Sequence, residues 1–251
     1  MDAQVKAKLL EINQVFYDQY SDSFSTTRHQ AQPGVQRIGQ SIPKNAAVLD
    51  VGCGNGTLAR HLAAQGFSGN YLGVDLSEGL IEDAQRLLDR PPSGMYTFQR
   101  IDLADPVWPA SFPPSTFDWL VAFAVLHHLP GADLRQQTAS AFHELVKPDG
   151  RVVVSVWQWH NSPRLRKRVL PWSTVGLDPG LLDDGDVLLD WRTGQSPGLR
   201  YVHTFTETSL NRLAVQEGFT VCDSFYSDGK TGNLALYQVW QLNPESKKPA
   251  G

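Results

Sequence analysis

The sequence has only two cysteines in 251 residues. That excludes the disulfide framework that holds small secreted domains together and makes a reducing compartment the default. It also lacks a long apolar run. The longest, Trp119 to Leu126, spans about eight residues, whereas crossing a bilayer takes ~20. Positive charge is not in excess: Lys and Arg number 22 against 26 Asp and Glu, a net charge of −4. This excludes a globally basic nucleic-acid binder but leaves room for a local basic patch. The opening MDAQVKAKLLEINQVF has no signal-peptide architecture. Apolar residues, in contrast, are plentiful. At 41% hydrophobic and 10% aromatic content, most of the chain can bury a core, which excludes intrinsic disorder over most of its length. The expectation is a soluble, cytoplasmic globular protein without a membrane segment.

Val5, Leu9, Ile12 and Phe16 fall on one face at helical spacing. A Tyr-, Ser- and Thr-rich stretch, Tyr17 to Thr27, follows, and a second short helix is predicted from Pro33 to Gln40. From residue 46 the pattern alternates between apolar runs and helical faces. Strands are predicted at Ala46 to Val51, Tyr71 to Val74, Met95 to Ile101, Phe117 to Leu126 and Arg151 to Trp157. Ser77 reads as the N-cap of the helix after the second strand. Repeated strand–helix units with short connections predict an α/β, Rossmann-like doubly wound sheet. Residues 158–205 break the rhythm, with prolines, glycines and tryptophans at no clean period, and read as a cap insertion. A helix around Leu210 and Leu213, a strand from Thr220 to Tyr226 and a last strand from Leu234 to Leu242 close the pattern. The short turn-rich link before that last strand makes it antiparallel. The expected organisation is an N-terminal helical segment, 1–45, a domain over 46–242 carrying the 158–205 cap, and a disordered tail, 243–251.

The string Asp50-Val51-Gly52-Cys53-Gly54-Asn55-Gly56 follows the first strand and opens a helix. Glycines let the backbone turn sharply and approach a ligand closely. Asp75 ends the next strand about 20 residues on, where an acid can accept bonds from ribose hydroxyls. A dinucleotide usually demands G-x-G-x-x-G with its pyrophosphate on the helix N-terminus. Here the third glycine comes one residue early. Asp50, two residues before the first glycine, disfavours a pyrophosphate and suits an ammonium. S-adenosylmethionine has a ribose, an ammonium and no phosphate. Asp50, Asp75 and Asp102 stand at three successive strand ends, where open α/β sheets bind ligands.

Five motifs, VLDVGCGNGTL, YLGVDLS, IDLAD, FDWLVAFAVLHHL and LVKPDGRVVVSVW, make residues 46–157 resemble the class I S-adenosylmethionine-dependent methyltransferases. The resemblance implies seven strands with the last antiparallel. It also implies a cofactor site in which Asp50, Gly52 and Gly54 line the methionine end and Asp75 holds the ribose. Leu76 would lie beside the adenine, Asp102 and Leu103 would face its ring and amino group, and Phe123 and Ala124 would form the floor near the sulfonium.

The acceptor is narrowed by what the chain lacks. The position of the Asn/Asp-Pro-Pro-Tyr/Phe string of many amino-methylating enzymes reads Ala122-Phe123-Ala124-Val125. Cys53 and Cys222 read as packing residues, not nucleophiles. No carboxylate cluster signals a metal, and the His127-His128 pair does not do so by itself. Oxygen or nitrogen acceptors that need only placement remain. A carboxylate is the simplest, because it is ionised at neutral pH and needs no general base. The flanks are similar to one branch, the tRNA wobble-uridine carboxymethyl methyltransferases. The strings are Phe24-Ser25-Thr26-Thr27-Arg28, Val156-Trp157, Asp186-Val187-Leu188-Leu189-Asp190-Trp191, Arg200-Tyr201-Val202-His203 and Gly232-Asn233. That resemblance implies Arg28 near the cofactor carboxylate or the acceptor, and an acceptor pocket of Arg200, Tyr201 and His203. It also implies a tRNA substrate, and eukaryotic members of the branch use a small activating protein partner. The basic run Arg164, Arg166, Lys167 and Arg168 is the candidate RNA contact. A small-molecule methyltransferase with the cap as its lid, and a non-catalytic scaffold that keeps the fold, are the competing readings.

Overall fold

The computed structural model describes residues 1–27, 30–88, 91, 93–193 and 196–244. Its centre is a seven-stranded sheet. The parallel strands are β1 (Ala47–Val51), β2 (Asn70–Asp75), β3 (Met95–Arg100), β4 (Phe117–Phe123) and β5 (Val146–Trp157), completed by β9 (Phe219–Ser227) and β10 (Ala235–Leu242). The order is β3-β2-β1-β4-β5-β10-β9, and β10 runs antiparallel to both of its neighbours. Side chains alternate along each strand, so the sheet feeds two apolar layers. Leu49, Val51, Leu120 and Val152 pack with helices α5 (Ala132–Leu145) and α7 (Glu207–Gln216). Val48, Val121, Val153 and Tyr71 pack with α2 (Pro33–Ser41) and α3 (Thr57–Ala64) on the other face. Helix α4 (Glu78–Leu87) follows β2 and buries Leu80, Ile81 and Ala84.

The 158–205 region, read from sequence as aperiodic, contains a small antiparallel sheet. It follows the short helix α6 (Pro163–Arg166) and consists of β6 (Val169–Leu170), β7 (Asp186–Thr193) and β8 (Ser196–His203). These strands gave no alternation because they are covered on both sides. Leu188, Leu189 and Asp190 are buried in succession, as are Arg200, Tyr201, Val202 and His203. A strand buried on both faces reads as a continuous run.

The first helix, α1 (Ala3–Thr27), continues through the Ser- and Thr-rich stretch instead of ending near Phe16. It docks chiefly on the cap, where Val5 and Leu9 form a cluster with Tyr201 of β8 and Ile12 and Trp172 pack against it, while Leu10 packs against the central core. Asn13 ties α1 both to the cap and to the turn after β4. Its Oδ1 accepts from the Tyr201 N–H at 2.9 Å, and its Nδ2 donates to the His128 carbonyl at 3.1 Å. Residues 245–251 of the expected tail lie outside the described residues.

Candidate active site

A cavity of about 460 Å³ opens at the carboxyl ends of β1, β2 and β4, the position open α/β sheets use for ligands. Its lower half is built by the glycine loop. Gly52 and Gly54 have φ values of +69° and +55°, a region L side chains rarely adopt. A Cβ on Gly52 would stand 2.4 Å from a Val125 methyl, whereas one on Gly54 would meet nothing within 4 Å, so Gly54 faces open space. Asp75 braces this loop: its Oδ2 accepts from the Gly54 N–H at 2.9 Å and its Oδ1 from the Ser77 N–H at 3.0 Å. A carboxylate has about four acceptor positions, so lone pairs remain for a ligand. Burial pushes its pKa up, against the pull of these N–H groups.

Asp50 is 3% exposed and accepts a 2.5 Å bond from the Tyr71 hydroxyl. Burial raises its pKa to about 7, the Tyr71 bond opposes this, and the charge of Asp75 adds to it. Leu76, Asp102, Leu103, Phe123 and Ala124 also line the cavity. Asp102 is exposed, and its Oδ1 accepts from the Ala104 N–H at 2.8 Å. Ala124 has φ +59°, strained for an alanine. Its N–H is held there by the Ser155 hydroxyl and carbonyl, both at 3.0 Å. Arg28 lies outside the described residues.

Two buried polar atoms of lining residues, Asn55 Nδ2 and Ser77 Oγ, have no partner among the described residues. With the open space over Gly54 and acids at three strand ends, this donor set fits a nucleoside carrying an amino-acid tail. S-adenosylmethionine has that shape. Among the described residues no group of three or more His, Cys, Asp or Glu side chains is arranged to hold a metal ion.

The upper half is walled by α1, the end of β5 and the cap, through Asn13, Tyr17, Trp157, Arg164, Trp191 and Arg200. Arg200 is 4% exposed. Its guanidinium carbon lies 4.0 Å from the Phe16 ring centre, 4.9 Å from Trp191, 5.4 Å from Tyr17 and 5.5 Å from Trp157. Aromatic faces attract a cation and hold its plane. Tyr201 and His203 do not line the cavity. They sit behind its wall, where the Tyr201 hydroxyl and His203 Nδ1 both bond Asp186 Oδ1 at 2.8 Å. Strand geometry explains the split, because consecutive residues of β8 point to opposite faces. Burial, with the adjacent Asp186 charge, lifts the Tyr201 hydroxyl far above its ordinary range.

Sequence reasoning read one of the His127-His128 pair as structural at the strand end and gave Tyr17 no role. His128 Nδ1 donates to the Tyr201 carbonyl at 3.1 Å, which in the neutral ring leaves Nε2 to accept from the Tyr17 hydroxyl at 2.9 Å. The available signal was Asn13 and Tyr17, four apart and one helical turn from each other on α1. Arg164 of the basic run reaches the cavity mouth, Arg166 donates to the His160 carbonyl at 2.7 Å, and Arg168 lies 5.9 Å from the Trp191 ring centre.

A family profile described as "Methyltransferase domain" matches residues 24–224. A tRNA (carboxymethyluridine(34)-5-O)-methyltransferase of Schizosaccharomyces pombe is 25% identical over 238 residues, covering 84% of this chain and 89% of that protein. A protein of the same description from Arabidopsis thaliana is 31% identical over 141 residues, 56% of this chain and 31% of its own length. The present chain thus matches less than a third of the Arabidopsis protein. In fold, the chain is similar to a Burkholderia thailandensis 1,6-didemethyltoxoflavin-N1-methyltransferase, with a TM-score of 0.67, 21% identity, and coverage of 97% and 92% of the two chains. No helix of the described residues is long and apolar enough to cross a membrane.

Proposed function

This chain belongs to the methyltransferase domain family and is an S-adenosylmethionine-dependent enzyme. We propose that its acceptor is the carboxylate of a carboxymethyl-type uridine at the wobble position of tRNA, in the cytoplasm. The observation that carries this reading is Arg200, a buried guanidinium on the cavity wall above the cofactor half. The likeness to the two carboxymethyluridine methyltransferases supports it.

Asp75, Leu76 and Asp102 would hold the nucleoside, and Asp50 with the glycine loop would hold the amino-acid end. When bound, S-adenosylmethionine supplies an electrophilic methyl group. A carboxylate is already a nucleophile at neutral pH, so the chain need not remove a proton. Its task is orientation and exclusion of water. Arg200 pairs with one edge of the acceptor carboxylate and fixes its direction. Tyr201 and His203 act as positioning residues: anchored on Asp186, they hold the strand from which Arg200 projects. Phe16, Trp157 and Trp191 orient the guanidinium and shield it from water, and half-buried Trp157 offers a ring on which a base can stack. Arg164, which lines the cavity, and its neighbours Arg166, Lys167 and Arg168 would meet RNA phosphates. Arg28 belongs to this proposal as a cofactor or acceptor contact, as does a small activating protein partner.

Enclosure of the cavity between α1 and the cap favours a second reading, a small carboxylic acid as acceptor. The deciding experiment is methyl transfer from labelled S-adenosylmethionine to bulk tRNA lacking the terminal methyl ester, followed by digestion to nucleosides. A base-labile label on the wobble uridine is the expected result. Absence of label on any tRNA, with cofactor binding intact, overturns the tRNA reading in favour of the small acid.

A further inference from the structure

The wall that α1 lends to the cavity carries a hydroxyl whose polarity is set by the fold. Tyr17 is half-buried and lines the cavity, as does its exposed neighbour Asp18. The Tyr17 hydroxyl lies 2.9 Å from His128 Nε2, and His128 Nδ1 lies 3.1 Å from the Tyr201 carbonyl. A carbonyl only accepts, so Nδ1 carries the proton of the neutral ring and Nε2 is left with a lone pair. The single proton of the Tyr17 hydroxyl is therefore directed at Nε2. Both rings are held in place. They meet edge to face with centres 5.6 Å apart. Asn13 accepts from the Tyr201 N–H at 2.9 Å and donates to the His128 carbonyl at 3.1 Å, so the backbone on either side of the His128 ring is tied to α1 as well. What Tyr17 offers a ligand is an oxygen that accepts and does not donate.

We propose that the Tyr17 oxygen accepts a hydrogen bond from the acceptor base itself, at the imide N3–H of its uracil ring. This rests on reading the acceptor as a carboxymethyl uridine. The Arg200 guanidinium carbon lies 5.4 Å from the centre of the Tyr17 ring, so β8 presents a cation and α1 an acceptor side by side. A ligand that satisfies both carries an anion and an N–H or O–H donor on one small frame. A 5-carboxymethyl uracil has this form: its carboxylate hangs from C5, and N3–H, the donor of the ring edge, lies beyond the C4 carbonyl of the same ring. Cytosine has a lone pair at N3, which would face the Tyr17 lone pair without a proton between them. Asp18 follows Tyr17 and repels phosphate, so a base and not the RNA backbone is suited to this wall. Unstacked bases of single-stranded RNA are read by proteins on this same edge.

The test uses two tRNAs assembled by ligation and identical except at the wobble base, which is 5-carboxymethyluridine in one and its N3-methyl derivative in the other. Methyl transfer from labelled S-adenosylmethionine to each is measured with the unmodified chain and with Tyr17→Phe, which keeps the ring against His128 and Arg200. The unmodified chain is expected to use the N3-methyl tRNA with kcat/KM about tenfold lower, the loss of one hydrogen bond. Tyr17→Phe should lose about tenfold on the parent tRNA and use the two tRNAs equally. Its Kd for S-adenosylhomocysteine should not change. The ratio between the two tRNAs is taken within each variant, so a lower stability of Tyr17→Phe does not alter it. Equal use of both tRNAs by the unmodified chain, or discrimination that survives in Tyr17→Phe, would overturn the contact. Weaker S-adenosylhomocysteine binding in Tyr17→Phe, with discrimination retained, would assign the oxygen to the cofactor instead. If neither tRNA is methylated by the unmodified chain while S-adenosylhomocysteine binds, the wobble-uridine acceptor itself is rejected, and the contact with it.

Discussion

The guanidinium carbon of Arg200 lies 4.0 Å from the centre of the Phe16 ring. A residue of the cap is thereby stacked on a residue of the first helix. The two elements close the upper cavity together, and the stack is where they meet on its wall.

Removing that cation should separate the two halves of the site. Arg200→Ala is expected to lower kcat/KM for the acceptor about 100-fold, the scale of a lost charge-assisted pair, with the Kd for S-adenosylhomocysteine unchanged. Arg200→Lys should recover little, because lysine has neither the planar face nor the fork. A variant that loses cofactor affinity and keeps acceptor use would reject the pocket. Steady-state kinetics with calorimetry decides this.

Asp186 supports the wall from behind. Asp186→Ala leaves the Tyr201 hydroxyl and His203 Nδ1 buried without their shared acceptor, a destabilisation of roughly 2–4 kcal/mol. A lower Tm and weaker acceptor use, with cofactor affinity retained, are the expected outcome in thermal melts and binding assays. Asp186→Asn, which keeps an oxygen, should recover most of the stability.

Asp50 should make cofactor binding depend on pH. Its pKa is raised to about 7 by burial, so the stability it contributes is present below its ordinary pKa and is lost as pH rises through about 7. Pairing with an ammonium runs the other way, because it needs the ionised form. Affinity for S-adenosylhomocysteine is expected to rise about tenfold from pH 6 to pH 8, the change in ionised fraction for such a group. Asp50→Asn should flatten the profile. A flat profile in the unmodified chain would show that Asp50 does not face the ammonium.

The basic run should report through salt. Replacing Arg164, Arg166 and Lys167 with alanine is expected to weaken tRNA binding uniformly and to reduce the slope of log K against log salt by ~2–3. Filter binding across a salt series measures it. An unchanged slope would make these residues a solvated face.

The lower half of the cavity was legible because its signals are local. A glycine string after a strand, and acids at strand ends, are fixed by the turn each strand makes into its helix, and Asp50, Gly52, Gly54 and Asp75 line the cavity accordingly. The upper half of the cavity was legible only as residue types. Arg200, Tyr201 and His203 read as one group because they are neighbours in the chain, yet the pleat of β8 turns Arg200 to the cavity and the other two to Asp186. Ser77 had the identity of a helix cap, and whether its hydroxyl capped the helix depended on where the loop before it ran.

By itself the sequence determined the doubly wound sheet, the antiparallel last strand and the glycine loop. Period, breaker residues and chain spacing specify these without reference to distant parts. Tertiary structure alone decided that α1 docks on the cap, that four aromatic rings surround Arg200, and that Tyr17 meets His128. The contacts of α1 join residues far apart in the chain, 111 positions for Tyr17 and His128 and 188 for Asn13 and Tyr201. Packing sets them, not local propensity, because a strand buried on both faces carries no period to announce what it packs against.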